Sequence, residues 1–227
     1  MMAVMRNDPL PFDQYYPYKR IQGYGTMPNL ELVPRMVRDY LMDMPSKGYN
    51  PPDDNRSFRC QLMKLLYYDD TDPLSHPLPT PAQKMSIVYN TEAPDNPPDK
   101  DKGYRIFTQS LVSQAQTIGQ SIMRIFMGRA VPIDTYTVQA SVVLQFFCNG
   151  AYETHGSGLA LQKSFAMTCL AERALSGVNF GAGVGTMFFD RRQMGDNNIY
   201  LLDDESTNVG YRLTMGLTVI GTDDLDQ

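Results

Sequence analysis

Two runs in the C-terminal half alternate apolar and polar residues, and a helix-like stretch lies between them. In the first, Tyr136, Val138, Ala140, Val142, Leu144 and Phe146 point one way, and Thr137, Gln139, Ser141 and Gln145 the other. In the second, Tyr211, Leu213, Met215, Leu217 and Val219 alternate with Arg212, Thr214, Gly216 and Thr218. Successive side chains of a strand face opposite sides, so each run predicts a long strand with one apolar face. Such a face needs a cover. The stretch from Gly158 to Leu175 is suited to it. Leu161, Phe165 and Cys169 form one row at helical spacing, and Ala166, Leu170 and Ala174 the adjacent row. Lys163 and Arg173 are expected at the edges of that helix, and Gly177 as its stop. The predicted class is α+β, with a mostly antiparallel sheet and helices packed on one of its faces.

The rest of the chain fits around that unit. Residues 1–28 are rich in Pro and Tyr, including Pro9, Pro11, Tyr15, Tyr16, Pro17 and Tyr18, and predict an extended N-terminal arm. Residues 29–227 are expected to form one α+β domain with long loops at about 91–103 and 191–208. Leu30, Val33, Val37, Tyr40 and Leu41 predict a helix with Asn29 as N-cap, ending before Pro45. Phe58 to Tyr68 fits a helix or a strand. Lys84 to Tyr89 and Tyr104 to Phe107 read as strands. Gln109 to Met127 reads as a helix passing into extended chain. Gly185 to Phe189 reads as a short strand, and Ile199 to Leu202 as an apolar island in a polar connection.

Composition narrows the function classes. The formal net charge is −5, which argues against a broad nucleic-acid-binding face, because phosphate neutralisation needs clustered Lys and Arg. Cys60, Cys148 and Cys169 are too few and too scattered for a disulfide framework and predict buried thiols in a reducing compartment. No run approaches the roughly 20 apolar residues of a membrane span, and the N-terminus lacks a signal-peptide core.

Catalytic chemistry finds little footing. His76 and His155 lie in no metal-ligand spacing, and Ser157 sits too close to His155 to pair with it in a loop. Gly181-Ala-Gly-Val-Gly185 lacks the Lys and the strand-to-helix context of a phosphate loop and reads as a helix-to-strand connection. Asp69-Asp70 and Asp203-Asp-Glu205 read as loop carboxylates, and Arg191-Arg192 as surface cations. The expectation is no catalytic residues, no metal and no cofactor. What remains is contact surface: long strands with edges to cover, and 15 Met and 14 Tyr, both suited to interfaces.

The order of elements, with a long strand opened by Asp134-Thr-Tyr136, a helix, a short strand and a closing strand opened by Tyr211-Arg-Leu, resembles the tail-terminator (tail-completion) proteins of long-tailed bacteriophages. The resemblance covers about Met85 to Gly221. It implies a structural virion protein whose small α+β subunits close a homohexameric ring. Such a ring caps the tail-tube protein, stops its polymerisation and joins the tail to a head–tail connector or neck protein. DNA would pass through the lumen without specific binding. The chain would be assembled in the host cytoplasm and reside in the virion. Asp203, Asp204 and Glu205 are then candidates for the lumen lining, and Tyr15, Tyr16, Tyr18, Arg191 and Arg192 for subunit contacts. The alternatives are a head-completion or tail-tube subunit, a small α+β enzyme, or a cellular binding module.

Overall fold

The computed structural model describes residues 30, 33–46, 48–89, 103–108, 121–133, 137–150, 162–181, 184–189, 199–203 and 208–220. The predicted arm, residues 1–28, and the loop near 91–103 (save its last residue, 103) lie outside them, as does most of 191–208.

The two alternating runs are strands and they are neighbours. β3 (Thr137–Asn149) and β7 (Asn208–Ile220) pair antiparallel over thirteen residues. The register sets apolar against apolar: Val138 faces Val219, Ala140 faces Leu217, Val142 faces Met215 and Leu144 faces Leu213. All eight side chains are buried. On the other side of β3 runs β2 (Ile122–Pro132), also antiparallel. β1 (Ile106–Phe107) adds to β2 in parallel. The outer side of β7 is covered piecewise by β6 (Ile199–Asp203), a bridge from Phe188 to Gly216, and β5 (Val184–Thr186), which itself pairs with β4 (Asn179–Gly181). The apolar island is thus a strand, because it supplies alternating residues to an edge that β7 leaves open.

Helices α1 (Val33–Met42), α2 (Phe58–Tyr67) and α4 (Lys163–Leu175) gather over the apolar face. α1 packs on β2, α4 lies across β3 and β7, and α2 packs on α4. One apolar core runs from Val33 to Val219. The chain is therefore α+β with a mostly antiparallel sheet, as its patterning predicts. Pro34 falls in the first turn of α1, where a missing N–H costs nothing. Gly177 follows α4 at φ +82°, a left-handed conformation that favours glycine.

Three expectations change. Lys84 to Tyr89 is no strand: its first half belongs to α3 (Pro81–Ser86), and only Val88 bridges to Ile106. A capping box decides this, in which the Gln83 N–H donates to Thr80 Oγ1 and the Thr80 N–H donates to Gln83 Oε1, with Pro81 opening the helix. The buried face of α4 is wider than the predicted rows and only partly coincides with them. Ala166 and Ala174 of the second row are buried, as are Ser164, Met167, Thr168, Ala171 and Leu175, whereas Phe165, Cys169 and Leu170 are half-buried. Phe165 meets Tyr211 of β7, their ring centroids 5.0 Å apart. Finally, Gly181–Gly185 joins two strands, β4 and β5, and not a helix to a strand. A Cβ on Gly185 would stand 2.5 Å from the main-chain oxygen of Thr218, so glycine lets β5 approach β7.

Candidate functional site

Among the described residues, buried charged side chains form two larger nodes, with a Lys64–Asp53 pair beside the second. The first centres on Asp69, just beyond α2. Its carboxylate lies 2.8 Å from Arg105 Nη2 and 3.3 Å from Lys163 Nζ, and it accepts a hydrogen bond from the Ser121 hydroxyl at 3.2 Å. The two cations are held by the main chain as well. Lys163 donates to Tyr68 O and Arg105 to Leu66 O, both at 2.8 Å. Ser121 Oγ also stands 3.8 Å from Cys148 Sγ. Four elements converge here: the end of α2, the approach to β1, the start of β2 and the first residue of α4. Lys163, expected as a snorkelling edge residue, is instead only 5% exposed, because the Tyr68 carbonyl just past α2 and the Asp69 carboxylate give its ammonium partners inside.

The second node fixes the helices to one another. Asp43, directly after α1, is 1% exposed and adopts φ +51°. Arg59 Nη1 lies 2.9 Å from its Oδ1, and the Tyr49 hydroxyl donates to the same oxygen at 2.7 Å. Oδ2 is buried without a hydrogen-bond partner among the described residues. The Lys84 ammonium, also 1% exposed, donates to the Asp43 carbonyl at 3.0 Å. Burial pushes the Lys84 pKa below the usual lysine value. Burial also pushes the Tyr49 hydroxyl above its usual value, helped by its bond to Asp43. Nearby, Lys64 reaches Asp53 at 2.6 Å, and that bond holds the Asp53 carboxyl below the usual range.

Neither node has the form of a reacting centre. The Ser121 hydroxyl is fully buried, and both ammonium groups are occupied by carbonyls. Among the described residues no group of three or more His, Cys, Asp or Glu could hold a metal ion. His76, expected near prolines, stacks on Tyr68 at 4.3 Å and pairs with Asp70 in an exposed loop. No described helix is long and apolar enough to cross a membrane.

The sheet face away from the helices is different. Arg124, Gln145 and Arg212 stand in one row across β2, β3 and β7. Arg124 lies over the Phe147 ring at 4.9 Å, and Phe147 joins Phe107 and Ile122 in a second, small apolar cluster. Apart from those arginines, the described positions of β2, β3 and β7 that share this face carry no charged residue before the bulge at Gly128–Arg129.

Of the residues singled out in the sequence, Asp203 ends β6 opposite Val209. Asp204, Glu205, Tyr15, Tyr16, Tyr18, Arg191 and Arg192 lie outside the described residues, as do His155 and Ser157. The two ionic nodes were missed. Their members are far apart in sequence, with Lys163 and Tyr68 separated by 95 residues, and only a buried Lys next to a helix start could have hinted at them.

No protein-family model matches this sequence, and no curated protein matches it.

Proposed function

We propose that the chain is a structural virion protein, a tail terminator whose subunits close a ring at the end of the tail tube and join it to the neck. The observation that carries this reading is the division of the sheet. Its helix-covered face is buried, while β2 beyond Arg124 and β6 have no described strand on their outer sides. Such edges pair readily with another chain unless something covers them. The buried ionic nodes support the reading too, since they brace the helices against the sheet and make a stiff building block. Cyclic assembly repeats one heterologous contact until the ring closes. One annular face then meets the tube and the other the connector, with DNA passing through the lumen. A head-completion or tail-tube subunit would use the same association chemistry.

Light scattering on the size-exclusion peak of the purified full chain, with negative-stain imaging, tests this. Closed rings of uniform subunit number are expected. In purified virions the chain should be present at one ring per tail. A monomer at the highest soluble concentration, or hundreds of copies per virion, would overturn the terminator role.

A further inference from the structure

α3 meets the end of α1 at a carboxylate that is only half satisfied. Asp43 Oδ1 has two donors, the Arg59 guanidinium at 2.9 Å and the Tyr49 hydroxyl at 2.7 Å. Oδ2 is enclosed and takes no hydrogen bond. Folded proteins seldom leave a buried carboxylate oxygen in that state, because it has given up water and gained no donor in return. The Lys84 ammonium has the opposite deficit. It carries three N–H groups on a residue that is 1% exposed, and among the described residues its one acceptor is the Asp43 carbonyl, at 3.0 Å.

The two deficits are neighbours. The carbonyl that Lys84 holds and the unsatisfied oxygen belong to the same residue, a few bonds apart, yet Nζ makes no hydrogen bond to Oδ2. One oxygen atom between them closes such a gap, since two hydrogen bonds of about 2.8 Å at a tetrahedral oxygen span about 4.6 Å. Charge selects what can sit there. Arg59 and Lys84 bring two cations to one carboxylate, which disfavours a further cation. An anion would suit Lys84 and set a like charge against Oδ2. The occupant must accept from an ammonium and donate to a carboxylate at once, so it is neutral and hydroxylic. Asp43 and Lys84 are each 1% exposed, and Cys60, close enough for its thiol to act on the ammonium, is fully buried, so the enclosure suits the smallest such molecule.

We propose that a single internal water bridges Lys84 Nζ to Asp43 Oδ2, accepting from the ammonium and donating to the carboxylate. One molecule then meets both deficits, which is the usual role of water inside a fold. The bridge also has a mechanical consequence. Arg59 ties Oδ1 to α2, and the water ties Oδ2 to α3, so the two oxygens of one side chain clamp three helices at the residue that ends α1. The left-handed backbone of Asp43, at φ +51°, is held from both sides in this way.

A high-resolution crystal structure of the full chain tests this first. An oxygen of full occupancy within about 3 Å of both Nζ and Oδ2 is expected. Direct contact of Lys84 with Oδ2, an empty enclosure or a bound anion would overturn the bridge. Magnetic relaxation dispersion of water oxygen, which counts water molecules held far longer than surface hydration, gives the solution test. Lys84→Met keeps an unbranched apolar stem and removes the N–H groups, so wild type and variant should differ by one long-lived water. Equal counts would count against the proposal. Should the variant fail to fold by circular dichroism, the wild-type crystal structure decides alone. Either outcome concerns the helix layer and leaves the ring reading as it stands.

Discussion

Arg59 grips Asp43 at 2.9 Å across the gap between α1 and α2, and the aspartate is fully enclosed while the arginine keeps a quarter of its side chain in solvent. The pair sets the end of α1, because Asp43 holds a left-handed backbone that few residues besides Gly and Asn accept. Asp43→Ala removes the anion and keeps the backbone strain. It should cost about 3–5 kcal/mol, the usual loss when one partner of a buried ion pair is deleted. Asp43→Asn tolerates the backbone and can still accept from Tyr49, so it should cost clearly less. Urea unfolding followed by circular dichroism checks both.

Lys84 gives a pH signature. Its folded pKa is depressed by burial, so between that value and about 10.4, the ordinary lysine value, the unfolded chain binds more protons than the folded one. The Lys84 contribution to stability should therefore rise with pH through this window, and the penalty is fully present below it. The raised pKa values of Tyr49, Tyr68, Cys60 and Cys169 act in the opposite sense above their ordinary values. Subtracting the same titration of Lys84→Met cancels them. The expected difference, wild type minus variant, increases as the pH approaches the ordinary lysine value from below; a difference flat up to that value would remove the desolvated ammonium from the account.

At the other node, Asp69→Asn should destabilise by about 3 kcal/mol or more, since Lys163 and Arg105 would be left beside each other without their shared anion. Added salt should rescue little of this, because the side chains of Lys163 and Arg105 are 6% and 14% exposed. Thermal unfolding in low and high sodium chloride measures it.

Gly185→Ala should cost about 1–3 kcal/mol by driving a methyl into the Thr218 carbonyl. Amide exchange should locate the damage. Protection should fall in β5 and β4 and survive in the β2–β3–β7 sheet.

The centre of the fold was legible because β3 and β7 state their period over ten residues or more, and because a two-residue period leaves only one way to bury them. The short elements were not. α3 has six residues, and its two apolar neighbours Ile87 and Val88 imitate a strand; the capping chemistry at Thr80 and Gln83 wins over that local pattern. β6 was hidden because five residues are too few to show alternation, and its identity comes from the neighbour it lies on. The wider buried stripe of α4 had a different cause. Lys163 is drawn inward by Asp69, a residue the sequence places in a remote turn, so the start of the helix is enclosed as well. The long-range ionic nodes have no local signature at all.

The partnership of β3 with β7 spans some 70 positions, and β7 emerges last from the ribosome among the strands described. Until it arrives, β3 carries a full-length vacancy on one flank. A product truncated before Asn208 would leave that flank of β3 unpaired, and a bare strand edge of this length invites aggregation.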